Sequence, residues 1–202
     1  MKLYYSPAAC SLAVHIALRE AGLAFDLAKV DLAKHTLDDG SSYLDVNPRG
    51  YVPLLEFDDG TRRSEAAALL QAVADLDPAQ RLIGAPRTTR RLDVTQWLAF
   101  VASELHKTFS PWLWHADTAD STRATVKTKL AERFAELDRH LATHEYLAGD
   151  FSVADAYAFA IVRWAQIMRL PLAPYPQLEG WLGRVAARPH VEAALRAEGL
   201  LR

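Results

Sequence analysis

The sequence predicts an α+β fold built in two parts. Three observations carry it. Strand and helix signals alternate at short range over residues 1–76, Pro and Gly punctuate residues 77–87, and every periodic stretch beyond them is helical. A chain of 202 residues is long enough for one large domain or two small ones. The expected boundaries are 1–77 for the mixed part and 88–202 for the helical part.

The first part reads in order. Leu3-Tyr4-Tyr5 is β-prone and stops at Ser6-Pro7. Leu12, His15, Ile16, Arg19 and Glu20 recur at helical spacing, and Gly22 follows as a C-terminal stop. Phe25 to Leu32 suits a second strand, and Asp39 to Val46 a short helix or irregular crossing that ends before Asn47-Pro48. Pro53 to Phe57, Asp58-Asp59-Gly60 and Thr61 to Arg63 form a hairpin signal, with the turn on Asp-Gly. Ser64 is the expected N-cap of a helix from Glu65 to about Leu76. The order is βαβ, a crossing, then ββα.

In the second part Val94, Leu98, Val101 and Leu105 make one apolar stripe. Val126, Leu130, Phe134, Leu137 and Leu141 make another, with Lys127, Lys129 and Arg133 on a solvated face. Ser152 and Asp155 stand three apart before an apolar helix, a capping-box arrangement with aspartate in place of glutamate. That helix is apolar over much of its circumference and is expected at the centre of this part. A last helical stretch, Leu178 to Leu195, is interrupted at Arg188-Pro189.

Composition excludes several classes. The chain is 50% hydrophobic and 24% charged, as globular proteins are, which excludes a disordered or fibrous chain. Lys and Arg total 23 against 25 Asp and Glu, so the basic field that nucleic acid or an anionic membrane requires is missing. Cys10 is the single cysteine, which excludes an intrachain disulfide. The seven histidines lack metal-ligand spacing, and no metal is expected. Neither a signal peptide nor an apolar run of about 18 residues is present. The expectation is a soluble cytoplasmic protein from a reducing environment.

Four features carry chemistry. Cys10 lies between a strand and a helix start, where unpaired N–H groups and the helix dipole favour a thiolate. By position alone, a lone cysteine is more often a small buried filler. Ala99, Ser103 and His106 share a helix face at i, i+4, i+7, flanked by Glu104 and Lys107. That face meets solvent, a ligand or a partner. Val52-Pro53 opens the hairpin, and a strand-starting proline leaves backbone with which an extended ligand can pair. It is equally an ordinary strand start. Ser64-Glu65-Ala66 offers helix N–H groups to a carboxylate and Glu65 to an ammonium, the two ends of an amino-acid headgroup. Acidic residues also favour a first helical turn for its own sake. The Trp residues read mostly as core.

Five segments stand in one register. They are residues 1–11, Asn47-Pro48-Arg49-Gly50-Tyr51-Val52-Pro53, Ser64-Glu65-Ala66, Ala102 to Lys107, and Phe151-Ser152-Val153-Ala154-Asp155-Ala156-Tyr157. With them the chain resembles the glutathione S-transferases, most closely the bacterial beta class, over essentially its whole length. The resemblance implies a thioredoxin-like N-terminal domain with a four-stranded mixed sheet, then an all-helical domain that supplies an acceptor pocket and dimer interface. It implies a homodimer with glutathione as cosubstrate, bound between the domains and at the dimer interface. By position, Cys10 meets the glutathione sulfur with His106 close by, and Val52, with Pro53 cis, pairs with the cysteinyl unit. Glu65 and the Ala66 backbone hold the γ-glutamyl end, and Ser103 and Glu104 contribute from the interdomain or neighbouring-subunit side. Relatives often carry lysine near position 35; His35 stands here beside Lys34, which makes glycyl-carboxylate binding pH-sensitive. They often carry asparagine where Ala99 stands.

The expected activity is a detoxifying transferase that directs glutathione at small electrophiles, peroxides or disulfides. Phe109, Trp112, Trp114 and Tyr157 are candidates for the acceptor pocket, with core packing as the other role for Tyr157. Two alternatives stand beside this: a thiol–disulfide oxidoreductase working through a Cys10 mixed disulfide, and a non-catalytic carrier on the same fold.

Overall fold

In the computed structural model, which describes residues 1–201, the chain forms two compact units. The first takes Met1–Leu82 and the chain end from Arg188, and the second takes Ile83–Ala187. The first holds a mixed sheet of β1 (Lys2–Tyr5), β2 (Asp26–Asp31), β3 (Thr36–Leu37), β4 (Leu54–Glu56) and β5 (Arg62–Ser64), in spatial order β3-β2-β1-β4-β5. β1 runs parallel to β2 and antiparallel to β4, with Leu3 opposite both Leu27 and Leu55. Helix α1 (Ser11–Glu20) makes the crossover from β1 to β2, and α2 (Ala66–Asp75) follows β5. Both helices pack together, and Leu12, Ile16, Leu69 and Leu70 are buried with Leu3 and Leu55 in the core.

Two local expectations are corrected here. The sheet has five strands, not four: Thr36–Leu37 adds to the free edge of β2, pairing Leu37 with Val30. Two residues are too few to show a period, so β3 leaves no mark in the pattern. Ser64 is not the cap of α2 but the last residue of β5, paired with Leu54. The chain must therefore turn from strand to helix in one residue, and Glu65 does so at φ 72. Left-handed backbone is uncommon for a residue with a side chain.

The second unit contains α3 (Thr89–Phe100), which runs through a π-helical segment at Val101–His106 into the last turn α4 (Lys107–Phe109). It continues with α5 (Asp120–Leu141), α6 (Val153–Val162), α7 (Trp164–Ile167) and α8 (Pro176–Ala186). Both expected apolar stripes are buried. All ten residues of α6 are buried, which makes it the unit's centre. Asp155 accepts from the Ser152 N–H at 3.0 Å, its half of a capping box, and also from the Ser152 hydroxyl at 2.9 Å. Its other oxygen accepts from the Leu147 N–H at 2.9 Å and the Trp181 indole at 3.1 Å.

The break at Arg188-Pro189 separates α8 from α9 (Pro189–Ala197), which packs on α1 within the first unit. Two side chains tie it there. Arg188 holds Glu20 through two hydrogen bonds, at 2.7 and 2.8 Å. Beyond α9, Glu198 lies 2.9 Å from His15 Nδ1, both side chains having no solvent exposure. No helix of the described residues is long and apolar enough to cross a membrane.

Candidate functional site

In the first unit, Cys10 is the N-cap of α1, and its thiol is nearly buried. The thiol S–H donates to the Val52 carbonyl at 3.3 Å, so two residues 42 apart in sequence meet there. The Val52–Pro53 peptide is cis, as the resemblance implied. The Tyr51 carbonyl is taken by the Tyr43 hydroxyl and the Asn47 amide, both at 2.8 Å, which fixes the loop just before Val52. The Val52 N–H has no partner among the described residues. The loop before Cys10 is held from the chain end: the Ala8 N–H donates to Glu198 at 3.2 Å.

The protonation of that anchor follows from its geometry. Arg19 Nε donates to His15 Nε2 at 2.9 Å, and a guanidinium has no acceptor to offer. His15 therefore carries its proton on Nδ1 and donates it to Glu198.

Glu65 projects from the start of α2 with its carboxylate largely exposed, 3.4 Å from Arg49. Its carbonyl accepts from the Ala68 and Leu69 N–H groups, and Ala66 is buried beneath it. His35 lies in the turn between β2 and β3 at φ 53. Its ring rests on Gly50, where a Cβ would come within 2.7 Å of Nδ1, so only glycine fits. His35 Nδ1 is buried without a hydrogen-bond partner. Lys34 is exposed and turned toward Asp31 at 3.7 Å.

In the second unit, the π segment changes what the sequence spacing implied. A π turn carries an extra residue, so a face drawn at helical spacing is rotated across it. Ser103 is exposed and donates to the Ala99 carbonyl at 3.0 Å. His106 is partly buried, so Ser103 and His106 meet different surroundings. His106 Nδ1 lies 2.7 Å from the Tyr157 hydroxyl, and its ring meets Tyr157 and Trp164 edge-on. Burial first, and the neighbouring Lys107 charge second, push its pKa down to about 4. The imidazole is therefore neutral at ordinary pH and holds one N–H donor. Glu104 is bound to Lys129 at 3.2 Å and to Arg133 at 3.0 Å, and these cations hold its carboxyl below the usual range. Lys129 and Arg133, expected on a solvated face, are thus held in this network.

Of the aromatic candidates, Phe109 and Tyr157 are core residues. Trp112 and Trp114 are each 45% exposed and so are not core. Trp114 meets Trp164 edge-on at 5.3 Å, and a cleft of about 360 Å³ opens beside Pro111, Trp112, His115 and Thr118. Sequence reasoning missed Arg49 as the partner of Glu65, Glu198 as the anchor of the Cys10 loop, and Tyr157 as the partner of His106. All three pairings are distant in sequence, and no local pattern marks them. No group of three or more His, Cys, Asp and Glu gathers as a metal site among the described residues.

Comparison with known proteins bears on this geometry. The family description "Glutathione S-transferase, N-terminal domain" matches residues 8–76, and "Glutathione S-transferase, C-terminal domain" matches residues 100–189. The chain is 41% identical to glutathione S-transferase GstA of Escherichia coli O157:H7, over 99% of this chain and all of that protein. A sphingomonad glutathione S-transferase solved with glutathione is 42% identical, with a TM-score of 0.93 over 99% of this chain and all of that one. The bacterial beta-class enzyme of Sphingomonas chungbukensis is also 42% identical, with a TM-score of 0.94 over the whole of both chains.

Proposed function

This chain belongs to the glutathione S-transferase family, in its bacterial beta class, and on that premise we propose that it binds glutathione and directs the thiol at small electrophiles. The observation that carries the reading is the meeting of Cys10 with Val52: the one thiol of the chain stands against a peptide whose N–H is open to an extended ligand. Val52 and Pro53 then take the cysteinyl unit, and the exposed Glu65 carboxylate with the Ala66 backbone takes the γ-glutamyl end. His35, or Lys34 in its place, takes the glycyl carboxylate. Cys10 and His106 act at the sulfur. Ser103 and Glu104 complete the site, with Glu104 held by Lys129 and Arg133. The roles divide as 1–77 for most of the glutathione contacts and 88–202 for the acceptor pocket and dimer interface, the latter also lending Ser103, Glu104 and His106 to glutathione. The protein works in the cytoplasm, as a homodimer that light scattering should show at twice the chain mass; a monomer with full affinity would refute the dimer.

The test is calorimetry with glutathione on the native protein and on Glu65→Gln. Loss of one charge-assisted hydrogen bond should weaken binding by about 1.5–3 kcal/mol with little change in the chemical step. Equal affinity would remove Glu65 from the site, and no binding by the native protein would end the reading. A second reading rests on the same contact, because Cys10 can itself form a mixed disulfide with glutathione. If Cys10 turns over, Cys10→Ala abolishes disulfide reduction and spares conjugation to an aryl chloride.

A further inference from the structure

We propose that Tyr157 is a positioning residue: its hydroxyl donates to His106 Nδ1, which fixes the imidazole proton on Nε2 and makes His106 a hydrogen-bond donor to sulfur rather than a base. A neutral imidazole has one donor and one acceptor nitrogen, and the bond made by one nitrogen decides the role of the other. Here Nδ1 is bonded to the Tyr157 hydroxyl at 2.7 Å, and Nε2 has no partner among the described residues. Two arguments give the direction of that bond. A phenol O–H is a stronger donor than a neutral imidazole N–H, and the imine nitrogen is a stronger acceptor than a phenol oxygen. The separation is also at the short end for N–H···O contacts, and hydroxyl donors make the shorter bonds.

The surroundings hold the ring in this arrangement. Tyr157 sits on α6, whose ten residues are all buried, and is itself 2% exposed. Its hydroxyl is therefore fixed on a rigid element. The edge-on contact with Trp164, with ring centres 5.1 Å apart, restricts rotation of the imidazole about its own axis. Burial also keeps the ring neutral, since its pKa is pushed down to about 4. A cationic imidazole would donate from both nitrogens, and Tyr157 could then only accept.

The consequence for the chemistry rests on the proposed glutathione reading. A base at this position would take the thiol proton and become charged in a buried place, which burial opposes. A donor stabilises the thiolate after its proton has passed to water, and His106 keeps its own proton throughout. Tyr157 itself touches no substrate.

The test has two arms. Long-range proton–nitrogen NMR on histidine-labelled, ligand-free protein reads the tautomer without glutathione. The native His106 should carry its proton on Nε2, with Nδ1 at the shift of a hydrogen-bonded imine. In Tyr157→Phe that resonance should move to the value of an imine without a donor. A native proton on Nδ1, or no movement in the variant, overturns the assignment. The second arm is conjugation kinetics with an aryl chloride. Tyr157→Phe should lower kcat about tenfold and leave KM for glutathione within about twofold. An unchanged kcat, or a rise in KM alone, overturns the positioning role. If the native protein does not bind glutathione, the proposed function fails while the NMR arm still decides the tautomer.

Discussion

His106 shows how far the surroundings of one residue set its chemistry. A histidine flanked by Ser103, Glu104 and Lys107 reads as part of a wet polar face. Packed against Tyr157 and Trp164, it is neutral at ordinary pH, its pKa pushed down to about 4. An ordinary histidine takes its proton near pH 6.5. As pH falls below that value, the unfolded chain binds a proton that the folded protein refuses until about pH 4. Stability conferred by the neutral ring is therefore complete above about 6.5 and is lost as pH falls toward 4. Urea unfolding at about pH 7.5 and 4.5 should show the native protein losing about 2–3 kcal/mol more than His106→Asn. Equal losses would show that the ring is not desolvated.

At the scale of the element, α6 depends on the residue that begins it. The spacing of Ser152 and Asp155 is visible in the sequence, and the capping box it predicts is present. The sequence does not show that Asp155 also receives the Leu147 N–H and the Trp181 indole. One buried carboxylate thus closes the start of α6, the preceding loop and α8 together. Replacing it with alanine leaves three buried N–H donors and one hydroxyl without their acceptor. Asp155→Ala should cost about 3–5 kcal/mol, read as a lower urea midpoint. Asp155→Asn should recover part of it, since its amide oxygen still accepts. If both variants unfold where the native protein does, the carboxylate is dispensable. The π segment at Val101–His106 is the opposite case, because nothing in Val-Ala-Ser-Glu-Leu-His announces it. Its extra residue per turn separates Ser103 from His106.

At the scale of the molecule, the chain end returns to the first unit. Arg188 grips Glu20, α9 covers α1, and Glu198 reaches both His15 and the Ala8 N–H of the loop that carries Cys10. The buried pair is a hydrogen bond between the His15 ring and Glu198, with Arg19 on the ring's other nitrogen. Its worth lies in what removal would orphan. Glu198→Ala leaves the buried His15 Nδ1–H without its acceptor and removes the Glu198 contact to the Ala8 N–H. It should lower stability by about 1–3 kcal/mol and raise the alkylation rate of Cys10 as its loop loosens. An unchanged midpoint together with an unchanged alkylation rate would show that the chain end is a passive cover.

The sequence by itself determined the α+β order, the hairpin at Asp-Gly, the two apolar stripes, the capping box and the family. Each of these is written within a few residues or in a motif, because helix periods, turns and caps are short-range physics. It also singled out Cys10, Val52, Glu65 and His106 as candidates to carry chemistry. Only the tertiary structure decided how they are held. The edge of β2 recruited Thr36–Leu37, pairing of β5 through Ser64 forced Glu65 into left-handed backbone, and Gly50 received the ring of His35. Lys129 and Arg133 claimed Glu104, and Tyr157 claimed His106 across 51 residues. These contacts join positions distant in the chain, where burial and hydrogen-bond demand select the partner and no spacing records it.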